Sequence, residues 1–161
     1  MIRLLLLLPA LLYSMNIKEL TMQYHDMSYN QKKVLQKSYN LGKEFNVGLT
    51  LAAIAWQESD AGKYKINLQT NDCGVYQKNV PYFLKGQGIE RSGFRENMWC
   101  QRFVDDIDFS AAVAVTDLLW WKQRNSWWKT WESYHCGYGS CPKYARDISL
   151  KIQVLKKELL K

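Results

Sequence analysis

Apolar positions recur at helical spacing through most of this chain, and nowhere do they alternate for long enough to mark an extended strand. From Ser28 to Phe45 the pattern is mostly polar with helical periodicity, and Asn46-Val47-Gly48 reads as a turn that opens a second, far more apolar helix. Gly62 to Gly74 carries the turn residues Asn67, Thr70, Asn71 and Asp72 and reads as a loop with room for one small hairpin. Val80-Pro81 is expected to break any helix starting at Tyr76, and Gly86, Gly88 and Gly93 mark a flexible stretch. Phe109 to Trp121 is apolar on nearly every face, as a central buried helix would be, with Asp108 or Ser110 as its cap. Ser126 to Tyr134 predicts a short helix. Pro142 then opens a final one, whose stripe of Tyr144, Ile148, Ile152, Leu155 and Leu159 lies opposite Asp147, Lys157 and Lys161. The expected class is mainly α, a helical bundle around a central buried helix with at most a small β-hairpin.

One helix breaks the usual division of polar from apolar. At about 100° per residue, Val47, Leu51, Ile54 and Glu58 fall on one narrow face, so a carboxyl group lies on the apolar side. Held among such neighbours it is poorly solvated, which is the setting a general acid needs. The alternative is a surface glutamate at a fraying helix end.

Length and charge narrow the picture. The 161 residues suit one domain with a real core. Lys and Arg outnumber Asp and Glu by 22 to 15, which favours an acidic partner. The basic residues are scattered and no glycine-rich phosphate loop is present, so nothing supports nucleic-acid binding and the excess reads as attraction to an anionic wall polymer or as solubility. Arg3 followed by the apolar run Leu4 to Leu12 is far shorter than the roughly 20 residues that span a bilayer, and reads as a secretory signal over residues 1–14. Cleavage after Ser14 places Leu12 where a small residue is preferred, so an uncleaved signal anchor competes, as does a buried helix that Pro9 argues against. Residues 15–161 form the domain, with no further membrane span. An exported chain with four cysteines is expected to form two disulfides. Cys136 and Cys141 are close enough to staple the turn between them, leaving Cys73 with Cys100, although four cysteines allow three pairings.

Glu58-Ser59 at the end of an apolar helix, then Gly74-Val75-Tyr76-Gln77, then Ser133-Tyr134-His135-Cys136-Gly137 with Tyr144 just beyond, resemble in order the three motifs of the lytic transglycosylase (goose-lysozyme-like) domain. That resemblance implies a lysozyme-like α+β fold and, without metal or organic cofactor, cleavage of peptidoglycan between N-acetylmuramic acid and N-acetylglucosamine. A single glutamate protonates the glycosidic oxygen and then acts as base while the muramoyl 6-hydroxyl closes a 1,6-anhydro ring. By position Glu58 resembles that glutamate, Gln77 the glutamine that bonds the glycan, and Tyr134 the tyrosine that contacts the glutamate. His135 stands where the family usually has Asn and Tyr76 where it often has Met. Tyr76, His135 and Tyr144 complete the expected substrate-binding set. For Tyr144, core packing competes with lining the cleft. The implied protein is a monomer of the periplasm or cell envelope, serving wall turnover or a secretion, conjugation or phage assembly.

Other readings use the same residues. Glycosidases usually pair two carboxylates. Asp60 points away from Glu58 and Asp72 sits in a loop, so neither makes a persuasive partner, which suits a single-glutamate reaction. A hydrolytic lysozyme or endolysin would differ only in the acceptor. A wall-peptide cysteine peptidase would use Cys73 as nucleophile and His135 as base, since Asp72-Cys73-Gly74 resembles the nucleophile motif of the NlpC-type peptidases without its serine. A zinc site from His25, His135, Cys136 and Cys141 lacks paired ligand spacing. A non-catalytic peptidoglycan-binding module would keep the cleft alone. Ser59 is expected to bond locally, and of Trp120, Trp121, Trp127, Trp128 and Trp131 the last three recur at helical spacing and read first as core.

Overall fold

The computed structural model describes residues 16–161; the expected signal over residues 1–14 lies outside them. Along the described chain run α1 (Ile17–Asp26), α2 (Tyr29–Lys43), α3 (Gly48–Ser59), β1 (Ile66–Asn67), β2 (Asp72–Cys73), β3 (Lys78–Asn79), α4 (Val80–Gly86), α5 (Gly93–Asp105), α6 (Ile107–Lys122), α7 (Trp127–Cys136) and α8 (Pro142–Leu159). The protein is mainly helical, and its one sheet is antiparallel in the order β1-β2-β3, with Ile66 opposite Cys73 and Cys73 opposite Lys78. No helix of the described residues is long and apolar enough to cross a membrane.

Local chemistry sets the helix starts. Asn16 with Glu19, and Ser28 with Gln31, form reciprocal capping boxes that satisfy the first free N–H groups of α1 and α2. Between α2 and α3 the chain turns through Asn46, at φ 57°. There the two backbones nearly touch: a Cβ on Gly48 would lie 2.7 Å from the Tyr39 carbonyl, and one on Gly42 would lie 2.9 Å from the Gly48 Cα. Only glycine permits that approach, and it lets α3 pass through the middle of the molecule.

The fully buried helix is α3, not the Phe109–Trp121 run. Leu51, Ala52, Ala53, Ile54 and Ala55 are wholly covered and pack with Leu20 of α1, Leu35 of α2, Leu118 of α6 and Ile148 and Leu155 of α8. Helix α6 buries a single face, through Ser110, Ala111, Ala114, Val115 and Leu118, and exposes Ala112, Thr116 and Trp120. Its cap is Asp106, which accepts from the Phe109 N–H, and neither Asp108 nor Ser110. No helix begins at Tyr76, and Pro81 sits in the first turn of α4, where no proline N–H is needed. Asp147 lies on the buried face of α8, 2% exposed, where Lys143 pairs with it at 2.8 Å.

A second, smaller core sits beside the sheet. Cys73, Val80, Leu84 and Phe103 are fully buried there, and the rings of Phe83, Trp99, Phe103 and Phe109 meet edge to face or tilted at 5.1–6.2 Å. Disulfides join Cys73 to Cys100 and Cys136 to Cys141, the pairing that spacing favoured. Two structural disulfides fit an oxidising, exported setting.

Candidate active site

Glu58 is the penultimate residue of α3, and its side chain is only 15% exposed. The helix stops directly after it. Asp60 and Ala61 take left-handed backbone conformations, φ 51° and 56°, which cost non-glycine residues about 1 kcal/mol or more each. Ser59 offsets that cost. Its buried hydroxyl lies 2.7 Å from the Val75 carbonyl and 3.0 Å from that of Ala55, and accepts from the Gly62 N–H. The serine thus binds the end of α3 to the 74–77 turn, a structural duty.

Two elements close on the Glu58 carboxyl. From α8, the Tyr144 hydroxyl donates to Oε1 at 2.5 Å. From α7, Nδ1 of His135 lies 3.7 Å from the same oxygen, with its imidazole stacked on the Tyr144 ring at 4.5 Å and 10°. No protein group bonds Oε2 among the described residues. Burial, with the Glu58 charge added, pushes the Tyr144 phenol far up, so it stays a neutral donor. The contact with Glu58 holds the His135 imidazole above its usual value, against partial burial that pulls it down, and the Asp72 carboxylate adds to the rise.

The Gly74–Gln77 turn forms the facing wall. A Cβ on Gly74, at φ 83°, would meet the Phe103 carbonyl at 2.5 Å, so glycine seats this turn against the smaller core. Gln77 is itself left-handed, φ 46°, and its amide donates to the Gly74 carbonyl at 2.9 Å. Its own carbonyl oxygen meets no protein donor among the described residues. Beside the turn, Lys78 pairs with Asp117 of α6, and its ammonium sits 5.1 Å over the Tyr134 ring.

Compared with family models, with curated proteins and with solved structures, the chain matches none. Function must therefore be argued from these side chains.

Several expected roles move. Tyr76 is fully buried and its hydroxyl is bonded to that of Ser38 at 2.9 Å, so its side chain cannot reach a ligand. Burial raises its phenol strongly. The tyrosine bonded to Glu58 is Tyr144; Tyr134 donates instead to the Tyr76 carbonyl at 3.2 Å, fixing the turn that carries Gln77. Cys73 is buried and bonded to Cys100, which removes the peptidase nucleophile. The donor atoms of His135, Cys136 and Cys141 lie within 4.8 Å of one another, but the two sulfurs are bonded to each other and offer no thiolate, while His25 faces Glu158. Trp127 and Trp131 stack at 6.2 Å against the main core; Trp120 and Trp128 are 40% and 44% exposed. Lys78 and Asp117 escaped the sequence reading, since nothing in their spacing links β3 to α6.

Neither aspartate near Glu58 in sequence complements it. Asp60 caps α3 and lies 3.9 Å from Lys63, and Asp72 accepts from Thr70 and Asn79. What the site offers is one shielded carboxyl, gripped at one oxygen and free at the other.

Proposed function

We propose that this chain is a peptidoglycan lytic transglycosylase acting in the periplasm or cell envelope. The observation that carries the reading is Glu58 at the buried end of α3, held at Oε1 by Tyr144, beside the Gly74–Gln77 turn, while Asp60 is engaged by Lys63 and Asp72 by Thr70 and Asn79. In this reading a single carboxyl does both proton transfers. Protonated at Oε2, Glu58 donates to the oxygen between N-acetylmuramic acid and N-acetylglucosamine as the glycosidic bond breaks. The carboxylate left behind is stabilised by the Tyr144 hydrogen bond, and takes the proton of the muramoyl 6-hydroxyl as that oxygen closes the 1,6-anhydro ring. Glu58 ends protonated as it began, and no water is consumed. Gln77 presents its unpaired carbonyl to a sugar hydroxyl or amide. Substrate is the glycan strand, with wall turnover or a secretion, conjugation or phage assembly as the setting.

The test is clearing of a suspension of purified sacculi. Glu58→Gln keeps the shape of the side chain but cannot cycle a proton, so it should slow clearing by roughly 1000-fold with an unchanged near-UV circular dichroism spectrum. A variant that clears at the wild-type rate would overturn the assignment.

A further inference from the structure

Where the motif resembled here usually carries Asn, this chain carries His135, and the imidazole lies against the acid itself. Its Nδ1 is 3.7 Å from Glu58 Oε1, an ion-pair distance rather than a hydrogen bond, and its ring is clamped flat on Tyr144, the residue that bonds the same oxygen. The side chain is 51% exposed, so it exchanges protons with solvent, whereas Glu58 at 15% does so far less freely. The ionisable groups around it are Glu58 from α3, Asp72 from β2, and Tyr144 from α8, with Tyr134 its neighbour on α7. Lys78 of β3 is engaged by Asp117. The disulfide Cys136–Cys141 next to it does not titrate.

Resting on the transglycosylase reading, we propose that His135 is a positioning residue that acts through Glu58: with Tyr144 it fixes Oε1 and does so as the imidazolium, leaving Oε2 to carry the transferable proton. A carboxylate at Glu58 holds the proton on His135, and the imidazolium in turn keeps Oε1 in place. Asparagine would supply polarity without this charge. Oε1 is therefore held best while His135 carries its proton.

Two measurements on the full chain test this. In the first, the imidazoles are titrated by NMR in wild type and in Glu58→Gln, with His25, the chain's other histidine, as internal control. Loss of the Glu58 charge should lower the His135 midpoint and leave that of His25 where it is in the wild type. In the second, kcat/KM on sacculi is followed against pH for wild type and His135→Asn. The alkaline limb should move to higher pH, since the variant has no imidazolium to lose. A merely structural role would lower the rate equally at every pH. An unmoved His135 midpoint, or an unmoved limb in His135→Asn, overturns the proposal. Wild-type chain that cleaves no sacculi at any pH overturns the transglycosylase reading itself, and with it this role for His135, whatever the midpoint does.

Discussion

The main core around α3 and the smaller core around α5 are held together in different ways. In the first, aliphatic side chains from five helices interlock, and Leu20, Leu35, Leu51, Ile54, Leu118, Ile148 and Leu155 have no exposed surface. In the second, four buried residues and a cluster of tilted rings cover little area, while Tyr82 and Phe94 stay 77% and 78% exposed. That lobe needs its covalent tie. Small cores gain little from burial alone, and the Cys73–Cys100 bond makes up the difference. The site lies where the two regions meet: Glu58 belongs to the large core, and the turn carrying Gln77 is anchored to the small one through Cys73 and Gly74.

Removing that tie should have the largest effect on stability. The Cys73→Ala/Cys100→Ala double variant opens a loop with a separation of 27 residues, for which chain entropy alone gives about 3.5 kcal/mol. Urea unfolding followed by protease cutting within 80–105 should show this lobe opening before the α3 core; one unchanged cooperative transition would break the division into two regions.

Next comes Lys151, a costly buried cation beside the main core. The residue is 3% exposed, its ammonium donates to Gln57 Oε1 at 2.7 Å, and burial pushes it down to about 8. The folded chain therefore holds this proton less tightly than the unfolded one. The penalty is full below about pH 8 and fades as pH rises toward the ordinary lysine value of 10.5. The downward shift corresponds to a penalty on the order of 3 kcal/mol. Lys151→Met should stabilise the chain at pH 7 by about 2 kcal/mol, because Gln57 loses its partner, and should flatten the rise in stability between pH 8 and 10.5. Thermal melts of both proteins across that range decide it, and a destabilised variant would show that the lysine is needed where it lies.

Comparable with that is loss of the Cys136–Cys141 staple, which closes a separation of only 5 residues and is worth about 2 kcal/mol by the same entropy. Since Cys136 adjoins His135, the Cys136→Ala/Cys141→Ala variant should lose more clearing activity than stability. Equal losses in the two staple variants would contradict the view that one staple supports a lobe and the other the site.

What the sequence revealed follows the same division. Helices with a clean apolar stripe or a clear cap, α2, α3, α7 and α8, were legible within a residue or two. The capping box Asn16-x-x-Glu19 marks α1, yet its polar face and its place after the apolar run Leu4 to Leu12 hid it. Glycines at 86, 88 and 93 made α5 look like loop, although Ser92 caps it and Gly93 merely opens its first turn. Composition made α6 look central, because its alanines and valines are apolar even where they meet solvent. Periodicity along α8 misplaced Asp147, whose burial depends on Lys143 and on how α8 meets its neighbours. Within the site, order along the chain pointed to Glu58, Gln77, His135 and Tyr144, of which the fold brings Glu58, His135 and Tyr144 into contact. It could not say which tyrosine grips the acid, since that depends on how α7 and α8 cross near Glu58.

The central claim is that one carboxyl performs both proton transfers and that the acceptor is the sugar's own 6-hydroxyl. Mass spectrometry of muropeptides released from purified peptidoglycan by residues 15–161, with Glu58→Gln in parallel, tests it directly. The account predicts products ending in 1,6-anhydromuramic acid, lighter by one water than hydrolytic products and missing from the variant. Reducing-end muramic acid from the wild-type chain would contradict it.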